Sequence, residues 1–251
     1  MGCTRQQLNA FFDDLLTPQR FKDYCPNGLQ VEGKTDVRHL VSGVTASQAL
    51  IEAARDRGAD AILVHHGYFW RSEPPCITGM KAARVRALIQ ADINLFAYHL
   101  PLDCHPQHGN NAALGRLMGI EAPEALDPED PGTPVFRGQL EAPVTVQELA
   151  DRLSAALDRT PLVIGEGDVT SVAWCTGAGQ GYIELAADAG ADVYVTGEVS
   201  EQTAHVASER GIAFIGAGHH ATERCGVQAV GSLAAEALGL SHEFIDIDNP
   251  A

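Results

Sequence analysis

The chain has 251 residues and a formal net charge of −16, with 45% hydrophobic and 20% charged residues. This is the composition of a folded globular protein with room for one large or two related domains, and it excludes a long disordered tail. The negative charge argues against a broad nucleic-acid-binding surface, which needs clustered Lys and Arg, but it leaves a small nucleotide open as a ligand.

Cysteine usage and hydropathy indicate the compartment. The six cysteines are scattered singly, with no Cys-x-x-Cys pair, which favours a reducing environment over a disulfide framework. The first residues lack an apolar signal core, and no stretch approaches the roughly 18 apolar residues of a membrane span. We therefore expect a cytoplasmic protein that does not enter a membrane.

The predicted elements alternate between helix and strand along the chain. Thr4-x-x-Gln7 resembles a capping box that opens a helix through about Leu16, and Pro26-Asn27-Gly28 marks a turn. Thr145-x-x-Glu148 opens a further helix between two series of strands. Apolar runs separated by segments of helical periodicity predict buried strands at about 39–45, 61–66, 93–98, 169–175, 193–197, 212–217 and 243–247. The pattern is typical of an α/β protein with mixed, largely parallel sheets flanked by helices.

The two series of strands resemble two copies of one unit. Residues 51–60 and 183–192 are identical at seven of ten positions, and both lead into a strand. Convergence on a helix that ends at a glycine is an alternative explanation. The segments that follow favour duplication, because residues 93–103 and 212–223 each run a hydrophobic strand into a His-x-x-x-carboxylate motif.

Two similar α/β halves are therefore predicted, the first at 1–125 and the second at 126–251. Ligands of open α/β sheets gather outside the carboxyl ends of the strands, where these motifs lie. We expect a metal site in the cleft between the halves. The first half contributes His65, His66, His99 and Asp103, and the second contributes Glu198, His219 and Glu223.

The residue types at these strand ends favour metal binding. Neutral imidazoles and carboxylates are the ligand mixture for zinc, iron, manganese or nickel, and a carboxylate can bridge two ions. Glu223 follows His219 by four residues, so a helix that begins near His220 would place both side chains on one face. The alternative is that these groups only hydrogen-bond one another and cap helices. Three strand ends rich in His and acid favour the metal site.

Other polar positions carry weaker signals. Glu198 faces the cleft as an acid or base, or it caps a helix. The glycine-rich loop at 175–181 could receive a phosphate at a helix N-terminus, but tight strand-to-helix packing explains its glycines equally well. Five further histidines are interpreted as surface or hydrogen-bonded residues without a chemical role, namely His39, His105, His108, His205 and His242. For His105 and His108 the alternative is that they support Asp103 from the neighbouring loop.

Several segments together resemble a known family, the Nif-three-like, YbgI-type dinuclear metal-centre proteins, also called GTP cyclohydrolase 1 type 2 homologs. The segments are Asp23-Tyr-Cys-Pro-Asn-Gly-Leu-Gln-Val-Glu-Gly33, Gly43-Val-Thr-Ala-Ser47, Val64-His-His-Gly67, Thr196-Gly-Glu198 and Gly218-His-His-Ala-Thr-Glu223. The resemblance covers essentially the whole chain and matches the short form, without the domain that longer members insert between the halves. It implies a toroidal homohexamer with two divalent metal ions in each chain.

Carried over by motif, the metal ligands implied by the resemblance are His65, His66, Asp103, His219 and Glu223. Glu223 would be the bridge, and His99 a near neighbour or a further ligand. The leading hypothesis for function is a metal-dependent hydrolase that acts on a nucleotide-like small molecule through a metal-bound hydroxide, with His99 or Glu198 shuttling the proton. The alternative is a metal-binding, metallochaperone or regulatory assembly protein without turnover.

Overall fold

The computed structural model describes residues 2–130 and 132–251. The helices of these residues, α1 to α10, are Arg5–Leu16, Gln48–Asp56, Gly79–Gln90, Leu100–Cys104, Asn110–Met118, Val146–Leu157, Ile183–Asp188, Glu201–Arg210, His219–Thr222 and Arg224–Leu238. The strands, β1 to β13, are Cys3–Thr4, Gly28–Val31, Asp36–Val37, His39–Thr45, Ala61–His66, Asn94–Ala97, Glu124–Ala125, Phe136–Thr145, Leu162–Ile164, Asp168–Cys175, Val193–Thr196, Ala213–Gly216 and Ser241–Phe244. Within these residues, no helix is long and apolar enough to cross a membrane.

The chain divides into two compact units. The first holds the residues up to Leu102 together with Gly226–Asp248, and the second holds Asp103–Cys225 with Asn249–Ala251. Strands β4, β5 and β6 of the first unit run parallel in the five-stranded order β13-β4-β5-β6-β2, and β2 is antiparallel to β6. Strands β10, β11 and β12 of the second run parallel in the order β7-β8-β10-β11-β12-β9, and β9 is antiparallel to β12.

Alternating side chains of the central strands pack on opposite faces of each sheet, as the period of a strand requires. In the first unit, Ile62 and Val64 of β5 contact the cluster that contains α2 and α3, whereas Ala61 and Leu63 contact the cluster that contains α1 and α10. The second unit repeats the arrangement with α7 and α8 on one face and α5 and α6 on the other. The predicted α/β fold of two similar halves with mixed sheets flanked by helices is confirmed.

Local sequence signals explain where several helices begin. Thr4 and Thr145 each accept a hydrogen bond from the third residue of the following helix, and the side chains of Gln7 and Glu148 reach back to the backbone amides of these threonines. Both predicted capping boxes are therefore present. Such reciprocal bonds satisfy amides that a helix N-terminus leaves without an intrahelical partner.

The two compact units do not divide at the predicted boundary between residues 125 and 126. The chain leaves the first unit after Leu102 and returns at Gly226, so Asp103 belongs to the second unit. In each predicted half, the helix that follows the His-x-x-x-carboxylate motif packs in the other compact unit. Helix α5, which follows Asp103, packs in the second unit, and α10, which follows Glu223, packs in the first. The strand predicted at 243–247 is β13, which pairs with β4 of the first unit instead of extending the second series.

Candidate metal centre

Three imidazoles meet at the carboxyl ends of β5 and β6. His65 and His66 end β5, and His99 follows β6 by two residues. Their ring centroids are separated by 4.5 Å for His65 and His66 and by 5.1 Å for His65 and His99, and one ring nitrogen from each of the three lies within 4.8 Å of the others. The residue after His66 must be small, because a Cβ on Gly67 would overlap Gln30 and Ala97.

Each of these rings is held through its Nδ1 atom by an oxygen. The distances are 3.0 Å from His65 Nδ1 to the Tyr98 carbonyl, 3.2 Å from His66 Nδ1 to Thr45 Oγ1, and 2.7 Å from His99 Nδ1 to Asp23 Oδ1. A carbonyl oxygen accepts only, so His65 donates its Nδ1 proton and in the neutral form presents a lone pair at Nε2. Histidines that bind metal usually donate the other ring N–H to such an acceptor, which fixes the tautomer and the ring orientation.

Two buried carboxylates lie in the second unit. Asp103, in α4, is 5% exposed, and its Oδ1 accepts hydrogen bonds from Asn110 Nδ2 at 2.9 Å and Thr176 Oγ1 at 3.1 Å. Glu223, between α9 and α10, is 2% exposed. Burying carboxylates is costly without cations or hydrogen-bond donors. A bound cation would offset the cost of burying these two carboxylates.

His219 lies beside Glu223 and Glu198. Its Nε2 is 3.3 Å from Glu223 Oε2, and its Nδ1 is 2.7 Å from Glu198 Oε1. Burial disfavours protonation of His219, but the hydrogen bonds and charges of Glu223 and Glu198 outweigh it and raise its pKa to about 9. The predicted pairing of His219 with the acid four residues later is thus present in the structure. Glu198 holds His219 through Nδ1, as the oxygens of the first unit hold their three imidazoles.

The glycine-rich loop after β10 packs against the Glu223 carboxylate. Gly177 has a φ of +66°, and a Cβ at this position would overlap Glu223 Oε1. The amide of Gly177 donates to Thr222 Oγ1 at 3.0 Å, and that of Gly179 donates to Thr196 Oγ1 at 3.0 Å. Because protein hydroxyls occupy these amides, the structure favours tight packing over the phosphate-binding alternative for this loop.

Several residues at these groups have no role in the sequence-based interpretation. Asp23 and Asn27 contact His99, while Asn110 and Thr176 contact Asp103. Asp23 and Asn27 belong to the segment quoted for the family resemblance, which is the one signal that could have identified them. The interpretation of the other histidines agrees with local contacts, since His242 pairs with Ser42, His205 with Glu201, and His105 accepts backbone amides of its own loop.

These donors fit divalent transition-metal ions. The first unit supplies three imidazoles with Nδ1 anchored, and the second supplies one such imidazole and two buried carboxylates. Imidazole nitrogen and carboxylate oxygen together suit zinc, iron, manganese and nickel, without a cysteine ligand. The structure therefore places the predicted ligand residues in two groups, His65 and His66 in one unit, and Asp103, His219 and Glu223 in the other.

Comparison with known proteins gives matches along the whole chain. A family model described as Duf34/NIF3 (NGG1p interacting factor 3) matches residues 3–250. A protein of Vibrio cholerae is 54% identical over 248 residues, covering 97% of this chain and 98% of the relative. A protein of Pseudomonas aeruginosa is 53% identical over 240 residues, covering 95% of each. Both relatives are named GTP cyclohydrolase 1 type 2 homolog.

Solved structures give the same picture of the fold. A structure described as protein ybgI, of unknown function, has a TM-score of 0.93 and 49% identity, and it covers 99% of this chain and 100% of that one. The protein TTHA1606 from Thermus thermophilus has a TM-score of 0.90 and 36% identity, with the same coverage. The near-complete coverage on both sides agrees with the predicted short form, in which no domain is inserted.

Proposed function

This chain belongs to the Duf34/NIF3 family, and on that premise we propose that it is a dinuclear metal-dependent hydrolase acting on a nucleotide-like small molecule. The observation that carries the proposal is the anchoring of four imidazoles through Nδ1, together with the burial of Asp103 and Glu223. A purely structural cluster would not need the same ring atom of every histidine to be held by an oxygen.

The proposal assigns ligand roles by residue. The residues that would hold two divalent ions are His65, His66, Asp103, His219 and Glu223. Two divalent ions bound there would acidify a water molecule and stabilise negative charge that develops on the reacting group. Asn110 and Thr176 hold one oxygen of Asp103, which leaves the orientation of this carboxylate fixed.

Proton transfer is assigned to the chain's own side chains. His99 is half-buried at the edge of the imidazole group, and its ring is fixed by Asp23, so it is suited to carry a proton to or from the reacting atoms. Glu198 is the other candidate, because its side chain is 40% exposed and contacts His219.

Aromatic side chains beside His99 support a planar heterocycle as part of the substrate. The Trp70 ring centroid lies 4.9 Å from that of His99, and the Tyr24 ring lies 6.2 Å from it. Tyr24 is 53% exposed, so the face of its ring is accessible to a ligand. Exposed aromatic rings stack on nucleobases with little regard to sequence. The name of the relatives makes GTP the first substrate to test, with attack at purine C8, and phosphoesters the second.

The assembly and compartment complete the proposal. We expect a toroidal homohexamer, which light scattering would detect as a particle six times the 26.7 kDa mass of the chain. We also expect a cytoplasmic location, and none of the six cysteines forms a disulfide. The acidic chain is not expected to bind nucleic acid over a broad surface.

A turnover screen tests the function directly. The full-length protein is reconstituted with Zn²⁺, Mn²⁺, Fe²⁺ or Ni²⁺ and incubated with GTP and with phosphoester substrates. We expect metal-dependent hydrolysis of at least one substrate, and its loss in Glu223→Ala. A protein that binds metal but hydrolyses none of them would contradict the enzyme and support the metal-binding alternative.

A further inference from the structure

The carboxylate of Asp23 is surrounded by hydrogen-bond donors. Its Oδ1 accepts from the Tyr24 amide at 2.6 Å and from His99 Nδ1 at 2.7 Å. Its Oδ2 accepts from Asn27 Nδ2 at 2.9 Å and from the Leu100 amide at 2.9 Å. Asp23 is 6% exposed. A buried carboxylate with four donors has little acceptor capacity left for any further partner.

The same segment also fixes the backbone of His99. Asn27 Oδ1 accepts the backbone amide of His99 at 2.7 Å, while its Nδ2 donates to Asp23. Because one side of the Asn27 side-chain amide faces a donor and the other faces a carboxylate, its oxygen and nitrogen atoms are assigned unambiguously. Asp23 is therefore bound by three groups that can only donate, the amides of Tyr24 and Leu100 and the Asn27 side chain, and a protonated carboxyl would place its own hydrogen against them.

The tautomer of His99 follows from this geometry. Because the Asp23 carboxylate can only accept, His99 must carry a proton on Nδ1, and its neutral form then has its lone pair on Nε2. We propose that Asp23 is a positioning residue that fixes His99 in the Nδ1–H form, so that Nε2 serves as the working atom of the imidazole. The chemical use of Nε2 rests on the proposed function, whereas the position of the proton on Nδ1 follows from the contacts of Asp23 alone.

A separate metal site at Asp23 is the competing explanation. Donor atoms of Asp23, Cys25 and His99 lie within 4.8 Å of one another. Four hydrogen bonds already occupy the Asp23 oxygens, and burial together with the charge of Asp23 raises the pKa of the Cys25 thiol to about 12. A thiol that stays protonated is a poor metal ligand. The contacts therefore favour the positioning role.

Asp23→Asn is the variant that separates these roles. The new amide must turn its NH₂ group either toward Oδ2, where the Leu100 amide and Asn27 donate, or toward Oδ1, where the Tyr24 amide and His99 lie. The Tyr24 amide also only donates, so the Oδ1 orientation leaves one fixed donor facing the NH₂ group, whereas the Oδ2 orientation leaves two. Leu100 cannot change, and Asn27 is fixed by its bond to the His99 amide. The imidazole is the one partner that can switch from donor to acceptor. We therefore expect Asp23→Asn to move the His99 proton from Nδ1 to Nε2.

Magic-angle-spinning NMR of the full-length protein with ¹⁵N-labelled histidine measures which ring nitrogens carry a proton, and spectra recorded over a range of pH identify the neutral form of the ring. The His99 signal is assigned as the one missing in His99→Gln. We expect a proton on Nδ1 in the wild type and in the control Asp13→Asn, whose carboxylate accepts from the neighbouring Tyr98 hydroxyl. A wild-type ring protonated only on Nε2 would overturn the proposal, and this result does not depend on the folding of Asp23→Asn.

Turnover gives the second readout. Asp23→Asn should lower kcat about 10- to 100-fold, the usual range for groups that orient a reactive imidazole, with metal content unchanged. In the background of His99→Gln, the same change should have no further effect, because the two residues act as one unit. Additive losses would contradict the positioning role. Failure to find any turnover would count against the proposed function and leave the tautomer result standing.

Discussion

Asp60 and Asp192 make the same contact in their own units, each accepting hydrogen bonds from two consecutive backbone amides. Asp60 Oδ2 lies 2.7 Å and 2.9 Å from the amides of Arg38 and His39. Asp192 Oδ2 lies 2.9 Å and 2.8 Å from those of Thr170 and Ser171. Arg38 and His39 lie at the start of β4, whereas Thr170 and Ser171 lie within the first half of β10. The last residue of the repeated decapeptide thus has a structural role in both copies.

This contact predicts a pH dependence of stability. Burial opposes ionisation of Asp60, but Lys34 and the amides of Arg38 and His39 outweigh it and lower the pKa of the carboxyl. The stabilisation is therefore present above the ordinary Asp pKa of about 3.9 and is lost as the pH falls through the lowered value. Asp60→Asn should cost about 1 kcal/mol of unfolding free energy at pH 7.

Urea unfolding between about pH 2 and pH 7 checks this prediction. The wild type should lose stability more steeply in acid than Asp60→Asn does. The matched control is Asp56→Asn, which removes an exposed carboxylate that pairs with its neighbour Arg55. Equal acid sensitivity of wild type and Asp60→Asn would show that this carboxylate does not contribute.

The close approach of Gly177 to Glu223 predicts a second effect. In Gly177→Ala, the new Cβ would overlap the Glu223 carboxylate, and the positive φ adds strain. We expect this variant to lose bound metal, measured by elemental analysis, with a melting temperature lowered by a few degrees. Gly181→Ala in the same loop has no atom near its Cβ and should behave as wild type. Full metal content in Gly177→Ala would contradict this prediction.

The KM for a heterocyclic substrate tests whether the substrate stacks on the Tyr24 ring. If the exposed ring packs against a heterocycle, Tyr24→Ala should raise KM about 10-fold, in line with the roughly 1–3 kcal/mol of base stacking on an aromatic side chain. Tyr24→Phe keeps the ring and should leave KM near the wild-type value. Both variants should retain their metal. An unchanged KM in Tyr24→Ala would remove this residue from the substrate site.

We predict that His99 transfers a proton as a general acid or base and is not required for metal binding. His99→Ala should lower kcat by about 10²- to 10⁴-fold, as is usual when a general acid or base is removed. Its metal content, measured on the same sample, should stay at the wild-type level. Equal activity would exclude the proton-transfer role, and loss of metal would identify His99 as a ligand.

The sequence predicts the parts of the site that local patterns encode. The strand predicted at 61–66 coincides with β5, and His65 and His66 lie at its end because a buried apolar run stops there. The partnership of His219 with Glu223 follows from their spacing of four residues. These features depend on neighbours along the chain, which periodicity and spacing can report.

Contacts between distant segments could not be predicted in this way. Asp23 and His99 are separated by 76 residues, and Asp103 and Thr176 by 73. Nothing in the local pattern of either segment indicates its partner. The difference between the predicted boundary at 125/126 and the two compact units has the same origin. Helical periodicity in α10 shows that the helix has an apolar face but not which sheet covers that face.

The metal content of the protein shows directly whether the proposed ligands bind two ions. Elemental analysis of the full-length protein, after reconstitution and removal of free ions, is compared with Glu223→Ala and with Glu201→Ala, which replaces an exposed glutamate of α8. We predict about two ions per chain in the wild type and in Glu201→Ala, as a dinuclear centre requires, and loss of metal in Glu223→Ala. A wild-type protein that retains no divalent metal would contradict the account.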